Sequence, residues 1–356
     1  MGKGQIVDKI DLCGNFISLP PRSICYRHIM EAYGGLHLLA KYVGLKQPHY
    51  FFKRPTFWQH GWAPDFCKYH PLAVSGEILS HGKMSKEPTY LVGKSSDEEY
   101  LKKCGYQNAK AIGLPLVYLP DREIKRIPNT LLVMPVHSLS YTRHTHWNFQ
   151  AYVNTILSIK NDFDKVIVCI HPSCLENGYW VNEFLDAGFD IVEGAHGSDK
   201  NSFYRLELLM RSFEYVTTNG FGSHIAYAAY FGAKVSIFGN FAEHKSEDYE
   251  EMYQLTLQDY KEMHIKFCEL TSENSLKNFF PFLFQEHPKN AIQRIEWGKY
   301  EVGFDARKTP IELKKILGWD ICSKMKYFSS YQGVKNALSP FIPSQTKKKI
   351  KAIFKV

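Results

Sequence analysis

The stretch TTNGFGSH (217–224) gathers Thr217, Thr218, Asn219, Gly220, Gly222, Ser223 and His224 at one junction between an apolar run and a small-residue segment. Seven residues of this kind in eight positions exceed what a plain turn needs. Their chemistry suits an anionic, hydroxyl-bearing ligand. Glycines allow a ligand close to the backbone. Ser223 can cap the helix that follows or donate to phosphate oxygens, and the helix start adds partial positive charge. Thr218, Asn219, Gly222, Ser223 and His224 are therefore expected to bind a phosphate and a ribose. Three other segments carry the same signature: HSLSYTRHTH (137–146), with Ser138 and Arg143; CIHPS (169–173), with His171 and Pro172; and GAHGSDKNS (194–202). FWQHGW (57–62) adds His60, an imidazole that titrates near neutral pH beside a glycine.

Positioning these residues requires alternating strands and helices. In the first third, 26–43 reads as a helix, 55–61 as a strand entering a loop and 88–93 as a second strand. A helix follows over 95–105, with Ser95 or Ser96 as its cap and Gly105 as its stop. The charged segment DREIKRIPN (121–129) reads as an interdomain connection. A second series follows: strand 130–136, helix 147–161, strand 165–172, helix 179–188, strand 190–194, helix 202–213, then the opening junction. This is the pattern of a doubly wound α/β domain, whose ligands sit beyond the carboxyl ends of the strands. Each polar segment of the second series follows a strand, so they should converge on one rim.

Composition narrows the class. The chain has 356 residues, enough for two domains, and its 44% apolar content supports real cores. The net charge of +8 fits phosphate-bearing ligands, and the basic residues are too dispersed for a nucleic-acid surface. The eight cysteines form no CxxC pair, which excludes a zinc knuckle or a dithiol redox motif, and no metal site is expected. Neither a GxxxxGK[ST] loop nor a GxGxxG fingerprint occurs. The start lacks an apolar signal core and no run approaches a membrane span, so a cytoplasmic location is expected.

Three segments carry a resemblance: FWQHGW (57–62), VIVCIHPS (166–173) and VTTNGFGSHIAYAAYFGAKV (216–235). They resemble the His-Gly loop, the strand ending in His-Pro and the hydroxyl-rich turn of GT-B glycosyltransferases. Among these, the resemblance is to the CDP-glycerol glycerophosphotransferase, sialyl- and Kdo-transferase group of capsule and lipopolysaccharide synthesis. It implies an α/β fold of two Rossmann-like domains facing across a cleft. The expected division is residues 1–128 for the acceptor, 129–310 for the nucleotide sugar, and 311–356 as a helical segment with a basic tail. It also implies metal-independent transfer to a glycan or lipid-linked glycan acceptor without a cofactor, from a CMP- or CDP-linked donor first, UDP or GDP next. Glu243 and Glu251 have the Glu-x7-Glu spacing of retaining enzymes but follow the last strand, so an inverting displacement is expected.

In that scheme His60 is the base, while Arg143, Ser138, His171, Pro172 and the 218–224 turn hold the leaving phosphate and ribose. A nucleotide-sugar 2-epimerase of the same fold, or a non-catalytic glycan- or nucleotide-binding protein, is the alternative. The last segment, SQTKKKIKAIFKV (344–356), would as a helix place Ile350, Ile353 and Phe354 on one face amid lysines, fit for weak contact with an anionic membrane surface.

Overall fold

The runs 131–133 and 166–170 are too uniformly apolar to face water on either side, and they form the buried interior of a parallel sheet. The structure is a computed structural model. It describes residues 2–323 and 325, except 26, 27, 51, 53, 60, 76–83, 139–141, 255 and 257. The expected base His60 and the basic tail 344–356 thus lie outside the described residues.

A hairpin of β1 (Lys9–Leu12) and β2 (Asn15–Ser18) opens the chain, followed by helix α1 (Gly35–Tyr42). A smaller layer comes next: β3 (Thr56–Trp58), α2 (Pro71–Ser75), β4 (Thr89–Val92), α3 (Ser95–Lys103) and β5 (Lys110–Ala111). The larger layer begins with β6 (Ile127–Val133), α4 (Phe149–Ser158), β7 (Lys165–Ile170), α5 (Pro172–Asn177), α6 (Val181–Asp186) and β8 (Ile191–Glu193). It continues through α7 (Ser202–Ser212), β9 (Phe213–Thr218), α8 (His224–Tyr230) and β10 (Lys234–Ile237). Helices α9 (Glu250–Gln254), α10 (Gln258–Leu270), α11 (Glu273–Phe279), α12 (Ile295–Glu301) and α13 (Pro310–Leu317) complete the described chain.

Among the described residues, β6–β10 form a five-stranded sheet in the order β10-β9-β6-β7-β8, and β3-β4-β5 a three-stranded one. Every pairing within these two sheets is parallel. The molecule is α/β, two parallel layers facing across a cleft, as the GT-B resemblance implies.

Two described segments, residues 4–6 and 302–308, each pair with a distant part of the fold. Near the start, Gly4 N–H donates to Leu185 O at 2.8 Å and Ile6 bridges Ile191, so this segment lies along the larger sheet. Later, Leu114 N–H donates to Val302 O at 2.9 Å and Lys308 N–H to Tyr118 Oη at 3.0 Å, which docks residues 302–308 on the smaller layer. The segment read as a linker over 121–129 already contains the first residues of β6, with Arg126 tying it to the carbonyls of Met210 and Phe231 at 3.1 and 2.6 Å.

Two local expectations change. The helix expected over 26–43 is α-helical only from Gly35, because the 3-10 turn before it is broken at Ala32 and Tyr33. Gly34 sits at φ +80°, and a Cβ there would fall 2.3 Å from the carbonyl oxygen of Lys200. The cap of α3 is Lys94 rather than Ser95 or Ser96. The hairpin β1-β2 was not expected; its turn has Cys13 and Gly14 both at positive φ, as a two-residue hairpin loop requires.

Helix α12 lies against α8 at backbone distance. A Cβ on Gly298 would stand 2.2 Å from the Tyr230 nitrogen. Alanine is the better helix former by roughly 1 kcal/mol, yet Gly298→Ala is expected to lower stability by about 2 kcal/mol through overpacking, read as a lower urea midpoint in equilibrium unfolding.

Candidate functional site

The carboxyl ends of β6, β7, β8 and β9 converge, and the residues after them meet the loop that follows β3. Between the two layers lies a cavity of about 370 Å³. Gly61, Trp62, His137, His171, Gly222, Ser223 and His224 are part of its lining. The contact that joins the layers here is a hydrogen bond from Trp62 N–H to Ser223 Oγ at 2.9 Å. Ser223 precedes α8 but its hydroxyl makes no cap bond, so the expected capping role is replaced by this bridge.

The polar turn after β9 divides into two jobs. Thr217, Thr218 and Asn219 are fully buried. Asn219 Oδ1 accepts from Val136 N–H at 3.0 Å, its Nδ2 donates to Asn240 O at 3.3 Å, and its carbonyl accepts from Ala242 N–H at 2.7 Å. Thr218 Oγ1 donates to Gly220 O at 3.4 Å. These groups clamp the ends of β6, β9 and β10, and neither Thr218 nor Asn219 is among the described lining residues of this cavity. Gly222 has a different reason: a Cβ there would fall 2.6 Å from the His224 ring, which folds back over it.

His171 caps α5, with Pro172 as the first helical residue. The Ser173 N–H lies 3.2 Å from His171 Nδ1 and the Ser173 hydroxyl oxygen 2.7 Å from the same nitrogen, so both engage Nδ1 and leave Nε2 facing away. That Nε2 is buried without a hydrogen-bond partner, and so is Nε2 of His224. The ring of His137 stacks on His171 with centroids 4.5 Å apart, and its Nδ1 donates to Ser138 O at 3.2 Å. Ser138 itself is buried, its hydroxyl accepting from Asn177 Nδ2 at 3.3 Å, so it too supports the loop rather than reaching the cavity.

Arg143 is not part of the cavity. Its side chain is 82% exposed and pairs with Glu251 at 3.4 Å. The loop carrying it is pinned from within: His144 stacks on Trp147 at 3.7 Å, with Nδ1 on Asp248 Oδ2 at 2.8 Å and Nε2 on Thr142 Oγ1 at 3.1 Å. Such a solvent-exposed ion pair contributes little by itself.

Among the described lining residues there is no Asp, Glu, Lys or Arg. Burial lowers the pKa of every histidine in the lining. It falls to about 3 for His224 and about 4 for His264, and also lies below the usual value for His137, His171 and His244. For His171 the neighbouring His137, His196 and His224 deepen the effect. At neutral pH the site offers uncharged imidazoles: an unpartnered Nε2 at His171 and, from its tautomer, an acceptor at His137 Nε2. His137, His244 and the α9–α10 side of the cavity were not foreseen; HSLSYTRHTH holds three histidines, and of these His137 alone is among the described lining residues.

Behind Trp62 lies a buried ionic group. Trp62 Nε1 donates to Glu301 Oε2 at 2.7 Å, and Lys94 Nζ stands 3.1 Å from Glu301 and 2.9 Å from Asp65. Burial acts to lower the Lys94 pKa, but Glu301, Asp97 and Asp65 outweigh it and hold the ammonium charged.

No protein-family model matches the chain, and no curated protein sequence matches it. Three solved structures are similar at low identity. One is assigned as a UDP-N-acetylglucosamine 2-epimerase from Listeria monocytogenes (13% identity, 61% of this chain, 56% of that one, TM-score 0.30). The second is UDP-GlcNAc 2-epimerase from Neisseria meningitidis with UDP-GlcNAc (8%, 65% and 61%, TM-score 0.31). The third is S. aureus MnaA with UDP (11%, 79% and 80%, TM-score 0.33). The chain thus spans less than two thirds of the first two.

Two outcomes follow from this geometry. Asn219→Ala leaves the buried Val136 N–H unpaired and should cost about 1–3 kcal/mol in urea unfolding. The histidines make stability pH-dependent: the unfolded rings bind protons near the ordinary 6.5 and the native ones do not. Stability is therefore full above pH 6.5 and falls as pH drops towards 4, with a slope of up to about 1.4 kcal/mol per unit for each histidine. Asp97, raised by burial to about 6, works the other way between pH 6 and 4 but is one group against five. Melting temperature should be flat from pH 8 to 7 and decline below 6.5; a flat profile down to 5 would contradict the neutral cluster.

Proposed function

We propose that this chain is an enzyme acting on a nucleotide sugar in the cleft between its two layers, and that it transfers the sugar with inversion to an acceptor hydroxyl. The acceptor oxygen bonds to the anomeric carbon as the bond to the departing phosphate oxygen breaks, and a base takes the acceptor's proton. The observation that carries the reading is the Trp62–Ser223 hydrogen bond. It sets the loop bearing Gly61 against the β9–α8 turn, over a cavity with two unpartnered imidazole nitrogens. His171 and His224 are the proposed donor contacts, with Gly222 and Ser223 shaping the turn. Arg143, Ser138, Thr218 and Asn219 act from outside the cavity, as surface or support. His60, whose neighbours Gln59 and Gly61 line the cavity, is kept as the proposed base.

The products proposed from the sequence resemblance are bacterial surface glycans, built on the cytoplasmic side with the 344–356 tail resting on anionic lipid. The donor base is CMP or CDP in that reading, with UDP and GDP as further candidates. The proposed division of labour is residues 1–128 for the acceptor and 129–310 for the donor. A nucleotide-sugar 2-epimerase is the second reading. It is the activity named for the Listeria and Neisseria structures, and it has no use for an acceptor site. It calls for positioned carboxylates, and no described lining residue is one.

A melting series with CMP, CDP, UDP and GDP tests the ligand class: one nucleotide at a hundred times its Kd should add about 2.7 kcal/mol, a rise of several degrees. His171→Ala should abolish that rise. His60→Ala should keep it while lowering transfer by about 10²–10⁴-fold. No rise with any nucleotide sinks the reading. Incorporation of solvent deuterium at the sugar C2, with no acceptor present, would decide for epimerisation.

A further inference from the structure

The cavity has a second half that the donor contacts do not use. After β10 the chain builds α9 and α10, which reach back to α2 of the smaller layer, and Tyr69 Oη donates to Met263 O at 2.7 Å to fix the crossing. Leu72, Met252, Tyr260, Met263 and Phe267 line this side. Its polar atoms are largely committed to one another: Tyr253 Oη meets His264 Nδ1 at 2.8 Å and Tyr249 Oη meets His244 Nδ1 at 2.6 Å. The His264 ring packs against Tyr249, Tyr260 and Phe267, with centroids 4.4, 5.9 and 6.2 Å away.

A sugar or phosphate placed here would lose its water without matching partners, at a cost of several kcal/mol per unpaired polar group. A hydrocarbon would lose nothing of the kind, and two methionines can adapt to its shape. We infer that the α2–α9–α10 side of the cavity takes the uncharged hydrocarbon part of the acceptor, an alkyl, prenyl or aryl group whose hydroxyl points towards the His171–His224 side. The word acceptor rests on the transfer reading above; the apolar class of ligand does not. Two features argue for such a ligand rather than for simple core packing. The whole cavity, of which this is one side, holds about 370 Å³, within the range of ligand pockets. This side is also continuous with the one where His171 and His224 each present a buried nitrogen that lacks a partner.

The test uses the full chain and the dye N-phenyl-1-naphthylamine, whose fluorescence rises in apolar sites. Saturable binding is expected, displaced by farnesol if the site takes a chain and by 2-naphthol if it takes a ring. Met263→Gln should weaken dye binding at least tenfold while leaving the nucleotide-induced melting shift intact. Leu72→Gln, from the opposite wall, reads the same space should Met263→Gln not fold. Absence of saturable dye binding, or unchanged affinity in the folded variants, overturns the inference. A nucleotide shift without dye binding overturns it alone. Dye binding without any nucleotide shift leaves the apolar site standing and sinks the transfer reading.

Discussion

The cleft depends on one buried amide. Asn219 accepts from the end of β6, donates to the turn after β10, and offers its own carbonyl to Ala242. Those strand ends launch the loops that carry His137 and His224, so the amide sets where both imidazoles begin. A hydrophobic residue of equal size would fill the volume and leave a buried backbone N–H unpaired. The neighbouring Thr217 and Ser236 repeat the device one step inward, with their hydroxyls 3.0 Å apart. Polar side chains at the rim of a parallel sheet thus do what ladder hydrogen bonds cannot do once the strands diverge.

This explains what was legible in the sequence and what was not. Strand and helix order in the larger layer follows from apolar runs and periodicity, and β6 to β10 lie where those runs are. The rim was legible too, because polar residues after buried strands have few other reasons to be there. The direction of each side chain was not. TTNGFGSH states its hydrogen-bonding capacity, but whether Asn219 faces ligand or its own backbone is settled by contacts some 80 residues away in sequence. Histidine was the most misleading letter. His28, His70, His171, His196 and His287 all accept a backbone N–H two residues on at Nδ1, a local capping task that uses no chemistry at all. Only at His171 does this cap also leave Nε2 buried and unpartnered beside the cavity. The docking of residues 4–6 and 302–308 on distant segments was equally invisible, since it is fixed by single backbone contacts such as that of Leu114 with Val302.

The absence of charge among the described lining residues shapes what the cavity can do. An ammonium or guanidinium inside would attract phosphate strongly, and would cost much when the site is empty. Neutral imidazoles cost less and still donate. A ligand anion held by them is stabilised by hydrogen bonds in a low-dielectric setting rather than by an ion pair, so its binding should respond weakly to salt. The same burial that keeps the rings neutral makes them hard to protonate, which favours hydrogen-bonding over acid roles for His171 and His224 at neutral pH.

Trp62 connects this neutral cavity to the only strongly ionic interior described beside it. Its backbone N–H meets Ser223 of the larger layer, while its indole N–H meets Glu301, which Lys94 of the smaller layer neutralises. A buried Lys–Glu pair contributes little net stability against a well-packed apolar alternative. What it supplies is direction: Glu301 ends α12, α12 lies on α8, and α8 begins at the turn that holds Ser223. The indole is therefore gripped from both sides of one closed circuit, α8 to α12 to Glu301 to Trp62 to Ser223. Lys94 bridges Glu301 and Asp65 behind the indole, so the loop at Gly61 is tied to the β9–α8 turn through Trp62 on both its backbone and its side chain. The width of the cleft is set there, by a tryptophan the sequence marked only as a neighbour of His60.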